Sequence, residues 1–145
     1  MVKHTYTRVD LAKEQLEVAL SLFLDQNSYA ATITLAGAAE EILGKELVHQ
    51  KKQPVLEWKF DQMGIFHKLL HGKDLTHTAF FAEENRIRNA LKHFDKTEDS
   101  VLVADLADAA CWLLVRACEN AQRLGIELGR FQEFDNWFYE NMAGI

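Results

Sequence analysis

The sequence contains little of what tight turns, short strands or disulfide bonds require. Only one proline, seven glycines and two cysteines occur among its 145 residues. Because proline and glycine supply most turn conformations, an architecture of many short strands is not favoured. Cys111 and Cys118 are seven residues apart in a helical pattern, which places their Cα atoms about 10 Å apart, too far for a disulfide bond. We expect small core residues in a reducing compartment, and hence a cytoplasmic protein.

The chain also lacks the signals that would place it in or across a membrane. It has no apolar run of about 18 residues, so no transmembrane helix is predicted, and its first residues lack the apolar stretch of a secretory signal. The net charge of −6 argues against a large basic surface for nucleic acid. It leaves room for a small basic cluster, or for a partner that is itself basic.

Signatures of metal and cofactor sites are absent as well. No glycine-rich phosphate loop, CxxC pair, HExxH or GxSxG pattern occurs, and we predict neither a cofactor nor a metal site. His67 and His71 are four residues apart and could share one helical face, as metal ligands sometimes do. No carboxylate stands beside them in a zinc arrangement, and the dipole at the end of a helix favours a cationic histidine. Capping or solvation is therefore the favoured interpretation.

What the sequence has throughout is helical periodicity. Apolar residues recur at spacings of three and four between short polar breaks, and short connections favour antiparallel neighbours. The pattern predicts an all-α fold, an antiparallel helical bundle of about five or six helices in a single domain spanning residues 1–145. The predicted helices span about 9–26, 29–50, 55–71, from Thr76 or Thr78 to 94, 99–124 and 131–141. In the second helix, Gly37 and Gly44 leave one side nearly bare, which lets a neighbouring backbone come close.

The segment 83–94 combines charged residues with an apolar stripe. At 100° per residue, three apolar side chains lie within about 40° of Ile87 around the helix and form with it a stripe that is predicted to face the core: Phe80, Leu91 and Phe94. Glu84 lies only about 60° from this stripe, so its carboxylate is expected to be partly buried and paired. Arg88, four residues further on, is the first candidate for its partner.

The segment from Arg88 to His93, which reads Arg-Asn-Ala-Leu-Lys-His, resembles the motif of HEPN domains (higher eukaryotes and prokaryotes nucleotide-binding). That motif has an arginine, four to six residues and then a histidine, often with Asn, Asp or His directly after the arginine. It lies late in a long helix of an all-α bundle. The second helix carries Glu40 and Glu41 in a stretch that resembles the acidic segment of many members.

The resemblance implies metal-independent RNA cleavage at a site shared by two protomers of a homodimer. Carried over residue by residue, it implies that His93 acts as general acid or base at a ribose 2′-hydroxyl. Arg88 would stabilise charge on the phosphate, and Asn89 would orient His93 or the substrate. It further implies a toxin or phage-defence role with an antitoxin-like partner protein. We expect the homodimer to bury the fourth helix and its neighbours.

Helical geometry leaves two candidates for the phosphate-binding arginine. Arg88 and His93 lie about 140° apart around the helix. Arg86 and His93 are seven residues apart and lie within about 20° of each other, and this spacing also fits the looser form of the motif. Both arginines therefore stay candidates, and the one that does not bind phosphate is free to pair with an acidic residue.

Three acidic residues are candidates for supporting this site. Glu40 interrupts an apolar line of the second helix, so it is predicted to be buried and paired with Arg86 or Arg88. Its role would be to anchor helices, to organise the site, or both. Glu41 faces the nearly bare glycine side and is the second candidate, and Glu84 is the third.

The same residues also allow a structural interpretation. Cations near the end of a helix are favoured by its dipole, and Glu84 with Arg88 would then be an ordinary ion pair. The function that follows from this interpretation is a non-catalytic helical module that binds a partner protein or a nucleotide. The net charge of −6 favours this alternative, whereas the intact arginine, asparagine and histidine favour the ribonuclease.

Overall fold

A computed structural model describes residues 1–143 as a bundle of helices. Seven helices and no strand occur in this part of the chain: α1 Arg8–Gln26, α2 Tyr29–His49, α3 Val55–His71, α4 His77–Glu84, α5 Arg86–Ala90, α6 Leu106–Arg123 and α7 Phe131–Asn141. The predicted all-α bundle is confirmed. None of the helices described is both long enough and apolar enough to cross a bilayer.

The core lies between α1, α2 and α6. A short connection joins α1 to α2, and the two pack as antiparallel neighbours. α2 and α6 are joined through residues 50–105 and run in the same direction, since Gly37 lies beside Leu113 and Gly44 lies beside Asn120. This shared direction decides which side chains of α2 and α6 meet inside the bundle.

Small and aromatic side chains fill this core. Cys111 and Cys118 lie inside it as predicted, with 0% and 2% of their surface exposed, and burial raises the pKa of each thiol to about 12. α7 covers one end of the core through Phe134 and Trp137, whose ring centroids lie 5.7 and 4.7 Å from that of Phe23. The aromatic residues near the end of the chain therefore serve packing.

Local interactions fix several helix ends where the sequence predicts them. Thr7 Oγ1 accepts the N–H of Asp10 at 3.1 Å and caps α1. Gly72 ends α3 in the left-handed conformation, with φ 68°. α3 spans the predicted residues Val55–His71, so the turn signals on both sides of it were sufficient.

The fourth predicted helix is shorter than expected and is broken in the middle. α4 gives way to α5 at Asn85, which departs from helical geometry with φ −106° and ψ 7°. Ile87 and Leu91 pack against the core as predicted. Phe94, also predicted to face the core, is 71% exposed, because the chain leaves the helix before reaching it.

The fifth predicted helix begins at Leu106 rather than near Asp99. The Asp99 carboxylate accepts the N–H two residues further on at 3.0 Å, and this local turn competes with helix formation. The Asp105 carboxylate accepts the N–H three residues further on at 3.0 Å and caps α6. Residues 91–105 therefore form a loop, and this loop borders the candidate site.

Candidate functional site

An open groove of about 800 Å³ is formed by α5 and the loop 91–105. Three of the predicted site residues, Arg86, Asn89 and His93, line it. The loop contributes three acidic residues to the same groove: Asp95, Glu98 and Asp99. The groove therefore combines two basic side chains and an amide with three carboxylates.

Helical hydrogen bonding continues beyond α5 and aligns the three predicted residues. The N–H of Asn89 donates to the carbonyl of Asn85 at 2.9 Å, and the N–H of His93 donates to the carbonyl of Asn89 at 2.9 Å. Each bond spans four residues, so Asn89 and His93 lie one helical turn apart. Arg86 lies on the same side because seven residues separate it from His93. All three are exposed to solvent.

Two charged groups of the groove differ in their contacts: Arg86 makes a weak surface ion pair, and Asp95 accepts hydrogen bonds within the loop. Arg86 Nε lies 3.8 Å from Oε1 of Glu83, and both side chains are more than half exposed. Such a pair contributes about 0–1 kcal/mol, so the guanidinium can turn towards an anion without breaking a buried contact. On the opposite side, hydrogen bonds from the hydroxyl and N–H of Thr97 lower the pKa of Asp95, which keeps this carboxylate charged.

Arg88 lies on the other side of α5, away from the groove. Its Cγ and Cδ cover Gly37 of α2, where an added Cβ would come within 2.6 Å of Cδ. The nearly bare side of α2 thus receives an arginine side chain rather than a neighbouring backbone. The predicted pair of Glu84 with Arg88 does not form. Glu84 accepts from Lys59 Nζ at 2.8 Å, and Arg88 makes no ion pair within residues 1–143.

Gly37→Ala is expected to lower the free energy of unfolding by about 1–2 kcal/mol, because the new methyl group would overlap Arg88 and overpacking is destabilising. Gly44→Ala is the matched control. A Cβ there would meet Asn120 Nδ2 at 3.4 Å, an ordinary contact, and alanine favours a helix over glycine by about 1 kcal/mol. Urea denaturation measures both variants. Equal changes in the free energy of unfolding at the two positions would contradict this placement of Arg88. When Arg88→Ala is also present, Gly37→Ala should no longer be destabilising.

A buried polar layer joins α5 to α2 and α6. Arg116 of α6 and Glu40 of α2 are 7% and 6% exposed and form an ion pair through Arg116 Nη2. The same nitrogen donates to Oδ1 of Asn85 at 2.7 Å, and Nη1 donates to the carbonyl of Glu84 at 3.1 Å. Arg116 thus fastens the break between α4 and α5 to the core, and it fixes where α5 begins.

The predicted burial of Glu40 is confirmed, but the predicted partner is wrong. Glu40 pairs with Arg116 rather than with Arg86 or Arg88, because α6 runs beside α2 in the same direction and brings the two side chains to the same level. Burial raises the pKa of Glu40, and the charge and hydrogen bond of Arg116 oppose this shift. Glu40 therefore joins α2 to α6 beneath the start of α5, and it does not line the groove.

Sequence reasoning missed Arg116 and Asn120, which complete the buried polar layer. Asn120 is 1% exposed. Its Nδ2 donates to the carbonyl of Glu40 at 3.2 Å, and its Oδ1 accepts the N–H of Val55, at the start of α3, at 2.9 Å. The signal was present in the sequence, because both residues interrupt the apolar line of α6 that contains Leu113. Apolar periodicity marks Arg116 and Asn120 on α6 in the same way as it marks Glu40 on α2.

The two other acidic candidates lie outside the groove. Glu41 is solvent-exposed and accepts from Lys45 Nζ at 2.9 Å, and this hydrogen bond lowers the pKa of Glu41. Glu84 Oε2 lies 3.7 Å from Nη1 of Arg116, at the edge of the buried polar layer. Glu84 therefore helps to hold α5 in place, whereas Glu41 belongs to the surface of α2.

Histidines elsewhere do not assemble into a metal site. Within residues 1–143, no three His, Cys, Asp or Glu side chains are arranged to hold a metal ion. The rings of His67 and His71 have centroids 4.8 Å apart. His67 Nδ1 lies 2.9 Å from the carbonyl oxygen of Lys73, so this nitrogen is engaged with backbone just beyond the end of α3.

Comparison of the chain with protein-family models, curated proteins and solved structures finds no match in any of the three. The function of the groove is therefore inferred from its own residues and from the resemblance of the short segment that contains them.

Proposed function

We propose that this chain is a metal-independent endoribonuclease of the HEPN type, with Arg86, Asn89 and His93 as its site. The observation that carries the proposal is that these three polar side chains line one open groove and face solvent. Exposed side chains contribute little to folding, so a role in binding or catalysis accounts best for their grouping. Such an activity suits the toxin or phage-defence role, with an antitoxin-like partner, that the resemblance implies.

The proposed reaction is attack of a ribose 2′-hydroxyl on the adjacent phosphorus. His93 takes the proton of the hydroxyl as general base, the bond between O2′ and phosphorus forms, and the bond between phosphorus and O5′ breaks. O5′ receives a proton from water or from His93 of a second protomer, and the products are a 2′,3′-cyclic phosphate and a 5′-hydroxyl end. Arg86 stabilises the charge on the non-bridging oxygens, and Asn89 orients the imidazole or the ribose.

Of the two candidate arginines, Arg86 is the one that fits this site. Arg86 lines the groove together with His93. Arg88 covers Gly37 on the opposite side of α5, where its guanidinium would not reach a phosphate held beside His93. In this assignment the arginine and histidine of the motif are Arg86 and His93, at the looser spacing, and Arg88 serves in packing.

The acidic loop limits what the groove can bind. Asp95, Glu98 and Asp99 would repel a phosphate placed near them. A single strand of RNA brings one row of phosphates into the groove, whereas a duplex would bring a second row towards the loop and increase the repulsion. Unpaired RNA is therefore the proposed substrate class.

The same carboxylates favour one alternative function, a non-catalytic module that binds a partner protein or a nucleotide. Together with the net charge of −6, they suit a basic partner segment better than they suit a polyanion. Under this alternative the groove would bind without cleaving, and His93 would contribute contacts rather than proton transfer.

The test of the ribonuclease proposal is cleavage of single-stranded RNA in excess EDTA. We expect cleavage at the same rate with and without EDTA, and mass spectrometry should find 2′,3′-cyclic phosphate ends, since the nucleophile is the neighbouring hydroxyl. The double variant Arg86→Ala with His93→Ala, purified in parallel, controls for contaminating nucleases. No cleavage across a broad panel of unpaired RNAs, or equal cleavage by the control, would exclude the proposal, and binding without cleavage would select the alternative.

A further inference from the structure

α3 carries large apolar side chains that the rest of the bundle leaves uncovered. Only Val55 and Leu56, in its first turn, are buried. Six apolar side chains further along are between 45% and 77% exposed and form what we name the α3 apolar face: Trp58, Met63, Ile65, Phe66, Leu69 and Leu70. The helix is held to the bundle near its start, through Val55 and Asn120, and exposes its apolar side beyond that point.

The α3 apolar face is continuous and large. At 100° per residue, all six side chains fall within about 160° of the helix circumference. The exposed area of these six residues is on the order of 800 Å², comparable with the area that each partner contributes to an interface of standard size. It exceeds the largest apolar patch of a typical monomer, which is about 300–600 Å². A surface of this size and composition is suited to a stable protein–protein contact.

The charges beside this face suit a second copy of the same helix. Asp61 and Lys68 are seven residues apart and flank the face on the same side. A two-fold axis across an antiparallel helix pair brings equivalent flanks together, so Asp61 of one copy meets Lys68 of the other, twice. In the single chain Asp61 accepts from Gln53 Nε2 at 2.6 Å, and Lys68 lies 3.4 Å from Asp74. Both contacts are at the surface and easily exchanged. A different protein partner would not require this self-complementary pattern.

We propose that the α3 apolar face is a homodimer interface, in which α3 of one copy packs antiparallel on α3 of a second copy about a two-fold axis near Gly64. Both the apolar face, from Trp58 to Leu70, and the flanking pair of Asp61 and Lys68 are centred at this position. The proposal rests on the exposed surface alone and is independent of the ribonuclease proposal. It assigns the contact to α3, a neighbour of the broken fourth predicted helix.

Sedimentation equilibrium on the full chain tests the interface. At tens of micromolar we expect twice the 16.6 kDa chain mass. Leu69→Asp should raise the dimer dissociation constant at least about a hundredfold, because each dimer would carry two buried carboxylates within the apolar face. Leu69 is 77% exposed in the single chain, so the variant should fold, which circular dichroism verifies. Val48→Asp on α2, where Val48 is 58% exposed, is the matched control and should leave the dimer intact.

Charge exchange tests the antiparallel arrangement. Asp61→Lys and Lys68→Asp should each weaken the dimer, and the double variant should restore it. The two residues are seven apart on one helix, about 10 Å along its axis, so restoration reports contact between copies and not within one. A monomer at 100 µM, a dimer that Leu69→Asp leaves unchanged, or a double variant without restoration would overturn the proposal. Because the readout is mass rather than RNA cleavage, it stands apart from the outcome at the groove.

Discussion

Glu40→Ala is expected to lower the free energy of unfolding by about 3–5 kcal/mol, the range for removing one partner of a buried ion pair. Glu40 and Arg116 are both more than nine-tenths buried. Without the Glu40 carboxylate, the guanidinium would keep two uncharged oxygen partners, Oδ1 of Asn85 and the carbonyl of Glu84. The Glu84 carboxylate, 3.7 Å from Nη1, is more distant and more exposed than Glu40, so the buried charge would be less well compensated. Urea denaturation followed by far-ultraviolet circular dichroism measures the difference.

Glu41→Ala is the matched control for this change. Glu41 follows Glu40 on the same helix, is exposed, and within residues 1–143 pairs only with Lys45, one turn away. Surface pairs of this kind contribute about 0.3–0.5 kcal/mol. If the two variants lose similar stability, the ion pair of Glu40 and Arg116 does not stabilise the attachment of α5 to the core.

His93→Ala is expected to reduce the rate of RNA cleavage by about 10²- to 10⁴-fold, the contribution of one general acid–base group. The side chain is exposed and lines the groove, so the urea midpoint should not move. His49→Ala is the control, because the His49 side chain is 78% exposed and lies in the last turn of α2, outside the groove. Single-turnover rates under identical conditions separate chemistry from binding.

The two candidate arginines make opposite predictions in the same assay. Arg86→Ala should lose cleavage and keep its stability, because Arg86 is exposed and its one ion pair in the described part of the chain is the 3.8 Å contact with Glu83. Arg88→Ala should keep cleavage and lose stability first, because the stem of Arg88 covers Gly37 and this packing would be lost. The reverse pattern, in which Arg88→Ala abolishes cleavage in a fully stable protein, would assign the phosphate contact to Arg88.

The local sequence pattern was sufficient to predict most of the helices, but it was insufficient to predict the structure around the groove. The bounds of α3 follow from Pro54 before it and Gly72 after it, both of which act on adjacent residues. The break at Asn85 has no such local cause. It is held by Arg116, which lies 31 residues further along the chain, and periodicity in the segment 83–94 carries no information about that contact.

The same distinction explains why Glu40 was found and its partner was not. A carboxylate within an apolar line must be paired, and this follows from a single helix. Which cation pairs with it depends on the relative direction of α2 and α6, which a long connection between them leaves open. Arg116 was identifiable as a buried charge on α6, and matching two buried charges of opposite sign across helices would have predicted the pair.

The connection between α2 and α6 also bears on how the chain tolerates change. Residues 50–105 join the end of α2 to the start of α6 and reach the core mainly through Ile87 and Leu91, so they amount to an insertion into a three-helix unit of α1, α2 and α6. The entropy of closing such a loop rises only slowly with its length, by about 0.6 kcal/mol per doubling. The proposed RNA groove and the proposed dimer face both lie in this insertion, so both can change with little effect on the three-helix unit, provided that Arg116 and Asn120 keep their hydrogen bonds to the backbone of the insertion.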